Sequence, residues 1–187
     1  CVPTSQAYLR ALRGADGALS LSRAAMDASA RHISHVVDFL SGFPAVHFWG
    51  LAYKAAAPYT PSAPAIWIAS RLLGSGVPAR VFARSARERD WAAANGAEVR
   101  DWPAPERGAL RPVVLVIPVA HPDALALNDA TARGTVGCYD VVVDNECALA
   151  HVSPAVWRET GTDVRVPGRR GWMAPSAAVR LAGGGAA

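Results

Sequence analysis

The spacing of apolar positions changes near residue 44. Before it, Leu21, Ala24, Ala25, Ala28, Ile33, Val36, Val37 and Leu40 recur at helical intervals and form one stripe. Arg23, Asp27, Arg31, His35 and Asp38 lie mostly off it. That pattern predicts a helix over 20–40. A shorter helix is expected over Ser5–Arg13, with Pro3 suited to its first turn and Gly14-Ala15-Asp16-Gly17 breaking it. Ser41-Gly42-Phe43-Pro44 stops the long helix and marks the expected domain boundary. Beyond it, short apolar runs alternate with amphipathic stretches. Strands are predicted over 45–52, 79–83, 97–101, 112–119 and 139–143, with an edge strand over 163–166. Helices are predicted over 64–74, 85–95 and 122–133.

Strands separated by helices of about ten residues imply a parallel sheet with right-handed crossovers. The expected fold class is α/β: an N-terminal helical segment followed by a Rossmann-like parallel sheet domain flanked by helices. The expected division is 1–43 as the helical segment, 44–173 as the sheet domain and 174–187 as a frayed Ala/Gly-rich tail. Gly50 is the only glycine in the loop after the first strand, so no G-x-G-x-x-G turn is present there.

Composition narrows the partners. The chain has 187 residues, 51% hydrophobic and 18% charged, with net charge +4. No basic run, zinc motif or RNA-binding motif accompanies the Arg169-Arg170 pair, so no nucleic-acid partner is expected. No run of 18 apolar residues occurs, so no membrane span is expected. Cys1, Cys138 and Cys147 show no CxxC or His/Cys ligand spacing, so no metal site is expected. Their odd number without a signal peptide points to a reducing, cytoplasmic setting. The chain opens on Cys1 rather than methionine and is expected to be part of a longer polypeptide.

Lys54 is the one lysine among 19 basic residues. Where arginine is so favoured, a lone lysine suggests a need for a compact, mobile ammonium. It follows a run, Ala45-Val46-His47-Phe48-Trp49, that reads as a buried strand ending at Gly50. In open α/β sheets the carboxyl end of a strand is where ligands bind.

Two segments resemble the UDP-glucose/GDP-mannose dehydrogenase family of nucleotide-sugar 6-dehydrogenases. Cys1-Val2-Pro3-Thr4-Ser5-Gln6-Ala7-Tyr8-Leu9 is similar to the family's Cys-x-Pro-x-Asp-Pro-x-Tyr-Leu stretch. Gly50-Leu51-Ala52-Tyr53-Lys54, with Pro64-Ala65 ten residues on, is similar to its Gly-Leu-Ala-Phe-Lys and Ser-Pro-Ala. Their order and separation also fit. The resemblance implies a substrate that is a nucleotide-diphosphate sugar, oxidised at C6 from alcohol to carboxylate. It implies NAD, bound by a domain absent from this chain, and a homodimer formed through the 20–40 helix. It makes Cys1 the catalytic nucleophile, passing through a thiohemiacetal and a thioester. A thiol just ahead of a helix start is apt for that, because helix amides favour the thiolate. Lys54 would meet phosphate or sugar oxygens, with Tyr53 and Gly50 shaping the mouth of the site.

The chain departs from the family pattern at several places. Ser5 replaces an aspartate that assists the cysteine, and serine is no carboxylate base. An apolar 55–63 loop replaces a polar one. Glu146 stands where an arginine is frequent. These changes leave a second expectation beside the enzyme: a non-catalytic or degraded module that still binds a nucleotide sugar.

Overall fold

The structure is a computed structural model that describes residues 20–54, 61–102, 112–168 and 171–173. The expected Ser5–Arg13 helix, Cys1 and the 174–187 tail lie outside the described residues. In chain order the elements are α1 (Ser20–Leu40), β1 (Val46–Trp49), α2 (Pro64–Gly74), β2 (Ala79–Phe82), α3 (Ala86–Ala94), β3 (Glu98–Arg100), β4 (Val114–Ile117), α4 (Pro122–Leu125), α5 (Asp129–Thr135), β5 (Val141–Asp144), α6 (Pro154–Thr160), β6 (Asp163–Gly168) and β7 (Gly171–Met173).

The sheet order is β3-β2-β1-β4-β5-β6-β7. The first six strands run parallel, and β7 pairs antiparallel with β6. The fold is therefore α/β and Rossmann-like, as the alternating pattern implies. The chain winds outward from β1 through β2 to β3, then crosses back to lay β4 on the other side of β1. That reversal is the topological switch point, the crevice where such sheets hold ligands.

Period-two alternation divides the strands between two apolar layers. Val46 and Phe48 of β1, Val81 of β2, Val114 and Val116 of β4, and Val143 of β5 pack on one face. Helices α1 and α2 cover that face with Ile33, Val36, Val37, Leu40, Ile66, Ile68 and Leu72. On the other face Trp49, Phe82, Leu115, Ile117 and Val142 meet Ala132 of α5 and Val156 of α6. Both faces being covered explains why β1 and β4 are buried at every position. The rear half of α1 thus shares the core of the sheet domain. Ala24, Ala25 and Ala28 in its front half stay exposed.

Three details differ from the sequence reading. The helix expected over 122–133 is two helices, because Asn128 starts a new one. Its side chain accepts from Thr131 N at 3.0 Å while Thr131 Oγ1 accepts from Asn128 N at 3.0 Å, a reciprocal cap. Strand β6 is not an edge, because β7 lies outside it with Val166 opposite Met173. Helix α6 was not anticipated, although Ser153 caps it by accepting from Ala155 N and Pro154 opens it.

One core side chain makes stability depend on pH. His47 is buried, with its ring against Phe82 and Tyr139. Its Nδ1 lies 3.2 Å from the Tyr139 hydroxyl. Burial first, and then the Arg80 guanidinium, bring its pKa down from 6.5 to about 4. Unfolded chain takes up this proton near pH 6.5 and folded chain only near pH 4. The unfolded state therefore binds more protons across that window, and stability falls as pH falls through it. From pH 7 to pH 5 the expected loss is about 2 kcal/mol. Urea unfolding at both pH values should show it, and His47→Phe should remove that portion. Equal losses in the two chains would refute the assignment.

Candidate functional site

The site is built where β1, β2, β4 and β5 end. After Trp49 the chain turns at Gly50, whose φ of +78° lies in the left-handed region. Gly50 N donates to Phe82 O at 3.1 Å. A Cβ at this glycine would lie 2.8 Å from His121 Nε2 and 3.1 Å from Arg84 Cδ.

Glu88, from the first turn of α3, holds the next residues in place. Its Oε1 accepts from Leu51 N at 2.8 Å and its Oε2 from Arg84 N at 2.7 Å. One buried carboxylate thereby joins the loop after β1 to the loop after β2. Glu88 N donates to Ser85 Oγ at 3.2 Å, so the helix cap aims the same residue.

Past Leu51 and Ala52 the chain reaches a pocket of about 120 Å³. Tyr53 lines it, together with Pro64 and Ala65 at the start of α2 and His32 and Val36 of α1. Pro118 and Val119 after β4, and Asn145 and Glu146 after β5, close it. Its walls are mostly aliphatic, with polar groups at Asn145, Glu146, Tyr53 and His32. Ala63 precedes helix α2 and supplies no side-chain cap, and Pro64 occupies the first turn. The front of α2 therefore keeps its amide-end partial positive charge uncompensated by any side-chain cap of its own. Lys54 is exposed, its Nζ 5.8 Å from the centre of the Tyr53 ring.

The polar groups around these loops have identifiable partners. Asp144 is buried at the end of β5 and accepts from Ala148 N at 2.9 Å and Leu149 N at 2.8 Å. Burial raises its pKa despite those bonds. The tight turn it organises carries Cys147 at φ 57°. Glu146 Oε2 accepts from Ala120 N at 2.9 Å, and Asn145 Nδ2 donates to Pro118 O at 3.2 Å. Arg84 pairs with Asp123, and that hydrogen bond holds the Asp123 carboxyl below its usual range. His121 is 1% exposed, and neither ring nitrogen has a hydrogen-bond partner among the described residues. Burial first, and then Arg84, keep its pKa low.

The sequence-derived candidates are partly brought together. Tyr53 is on the pocket wall and Lys54 adjoins it. Gly50 lies at the root of the same loop, packed by His121 and Arg84 rather than lining the pocket. Cys1 lies outside the described residues. Of the two described cysteines, Cys138 donates to Thr135 O at 2.7 Å, and burial raises the Cys147 thiol pKa. The Asp144 carboxylate beside Cys147 acts in the same direction, the opposite of the setting of a reactive thiol. Glu88 and His121 were missed. The Ser85-x-x-Glu88 spacing is a capping signature, but its carboxylate reaches past the cap to Arg84 and Leu51.

The described residues do not fit the pyrophosphate of NAD at the end of β1. The single glycine there is crowded by His121 and Arg84, and α2 starts only at Pro64 rather than directly after the strand. Among the described residues no three His, Cys, Asp or Glu side chains could share a metal ion, and no helix is long and apolar enough to cross a membrane. No protein-family model matches the chain, and no curated protein matches it.

Proposed function

We propose that this chain is the sugar-nucleotide-holding portion of a nucleotide-sugar 6-dehydrogenase, acting on a UDP- or GDP-sugar with NAD held outside the described residues. The observation that carries the reading is the fold of the Gly50–Lys54 and Pro64-Ala65 segments. The first follows β1 at the switch point and the second opens α2, with Tyr53, Pro64 and Ala65 on one pocket. An apolar pocket of this size suits one aromatic ring. The Lys54 ammonium suits the diphosphate beside it. In this reading the chain's own reactive group is the Cys1 thiol, whose thiolate adds to the C6 aldehyde carbon. The exposed Ala24, Ala25 and Ala28 of α1 leave a close-packing surface for a second copy.

Calorimetric titration with UDP-glucose and GDP-mannose tests the binding. Lys54→Ala should weaken the bound sugar nucleotide about tenfold to a hundredfold through loss of a charge-assisted hydrogen bond. The reading fails if neither compound binds, or if Lys54→Ala binds as well as the parent chain. The second reading, binding without oxidation, is favoured by Ser5 in place of an aspartate. NADH formation that disappears in Cys1→Ser would exclude it, while binding without NADH would support it.

A further inference from the structure

We propose that the Arg84–Asp123 ion pair is an acid-released latch beside His121 at the carboxyl edge of the sheet. The latch works whether or not the chain binds a sugar nucleotide. The His121 ring is 1% exposed, and neither nitrogen has a hydrogen-bond partner among the described residues. Its backbone is held on both sides. His121 N donates to Val119 O at 2.8 Å, and Leu125 N donates to His121 O at 3.0 Å. The imidazole is therefore fixed, and water reaches it only when a neighbour moves.

Four charged side chains from four segments act on the ring: Arg84 after β2, Glu88 of α3, Asp123 of α4 and Glu146 after β5. Glu88 is engaged by Leu51 N and Arg84 N, and Glu146 by Ala120 N. Those two ties involve backbone. Asp123 is paired with the Arg84 guanidinium, and the two side chains are 56% and 26% exposed. Ion pairs in such a setting are weak, so this tie yields first. Arg84 also packs at the Nε2 side of the ring. The place of a Cβ on Gly50 is 2.8 Å from His121 Nε2, 3.1 Å from Arg84 Cδ and 3.5 Å from Arg84 Cγ.

An enclosed imidazolium without a partner is unfavourable. With Arg84 in place, burial and then the guanidinium hold the His121 pKa below its usual 6.5. With Arg84 swung away, the ring meets water and the cation beside it withdraws, so the proton binds more tightly. Acid therefore favours release. The ratio of released to latched chains rises by up to about tenfold per pH unit between the two pKa values.

NMR of the full chain without ligand reads both groups, through the His121 ring signals and the Arg84 Nε–H signal. As the pH is lowered from neutrality, the two should titrate with one midpoint, below 6.5. His121→Phe keeps a buried ring with no proton to gain. Its Arg84 signal should stay latched until the Asp123 carboxyl itself titrates, below its usual 3.8. Asp123→Ala changes an exposed residue and should give the released Arg84 signal already at neutral pH. An Arg84 signal that ignores the His121 titration overturns the latch. So does an Arg84 midpoint unchanged in His121→Phe, or an Asp123→Ala chain whose Arg84 signal matches the parent at neutral pH.

Discussion

Glu88→Ala is expected to lower the unfolding free energy by about 3–4 kcal/mol, the largest loss of any single polar substitution near the site. The carboxylate is 1% exposed and accepts two short backbone hydrogen bonds, from Leu51 N and Arg84 N. Alanine removes both acceptors at once and leaves two N–H groups facing a space that lacks a partner. A buried donor in that state costs about 1–3 kcal/mol. Glu88→Gln should cost less, about 2 kcal/mol, because one carbonyl oxygen still serves one amide while the NH₂ opposes the other. Urea unfolding followed by tryptophan fluorescence measures both. A loss below about 1 kcal/mol in Glu88→Ala would show that the two amides find other partners.

The same substitution bears on binding. Leu51 is two residues from Tyr53 and three from Lys54, so its anchored amide fixes where the pocket wall stands. Freed of Glu88, the loop samples more conformations and binding must order it again. Sugar-nucleotide affinity should therefore fall in Glu88→Gln even under conditions where the variant is fully folded.

How much of this was legible in the sequence depends on the range of the forces involved. Strands β1 and β4 could be read from Val46–Trp49 and Val114–Ile117, because burial on both faces leaves an unbroken apolar run. Helix α1 could be read from Ile33, Val36, Val37 and Leu40, since one face pressed on the sheet demands that spacing. Helix α2 announced itself with Pro64. The division of 122–133 into two helices turned on a local cap at Asn128 that competes with the apolar spacing. Strand β7 and helix α6 are too short for a periodic signal. Strand order was not legible, since alternation fixes which face a residue takes but not which strand lies beside it.

The site shows the same division. Lys54 was conspicuous through composition and Tyr53 through its motif, and both stand at the pocket. Glu88 acts on Leu51, 37 residues earlier, and no local pattern records such a bond. His121 meets Gly50 only because β4 returns beside β1, a consequence of sheet order alone. The polar border of the pocket, Asn145 and Glu146, depends in turn on β5 lying next to β4.

Gly50→Ala is expected to cost about 3 kcal/mol, from two separable causes. The first is backbone: a residue with a Cβ held at φ +78° loses about 1–2 kcal/mol relative to glycine. The second is contact. The new Cβ would sit 2.8 Å from His121 Nε2 and 3.1 Å from Arg84 Cδ. The arginine chain is long and can swing aside. The His121 ring is almost wholly buried and cannot move without disturbing the loop between β4 and α4. The two causes are distinguished by a double-mutant cycle. Gly50→Ala in a His121→Ala background should recover about 1 kcal/mol or more of the loss, because the contact is gone while the backbone cost remains. Urea unfolding of the four chains measures the coupling. Strict additivity would show that His121 already yields to the methyl group, and a Gly50→Ala chain as stable as the parent would show that the left-handed turn is not required. A recovery confined to the double mutant would instead establish that β1 and β4 press together at this point through one imidazole, with glycine as the residue that permits it.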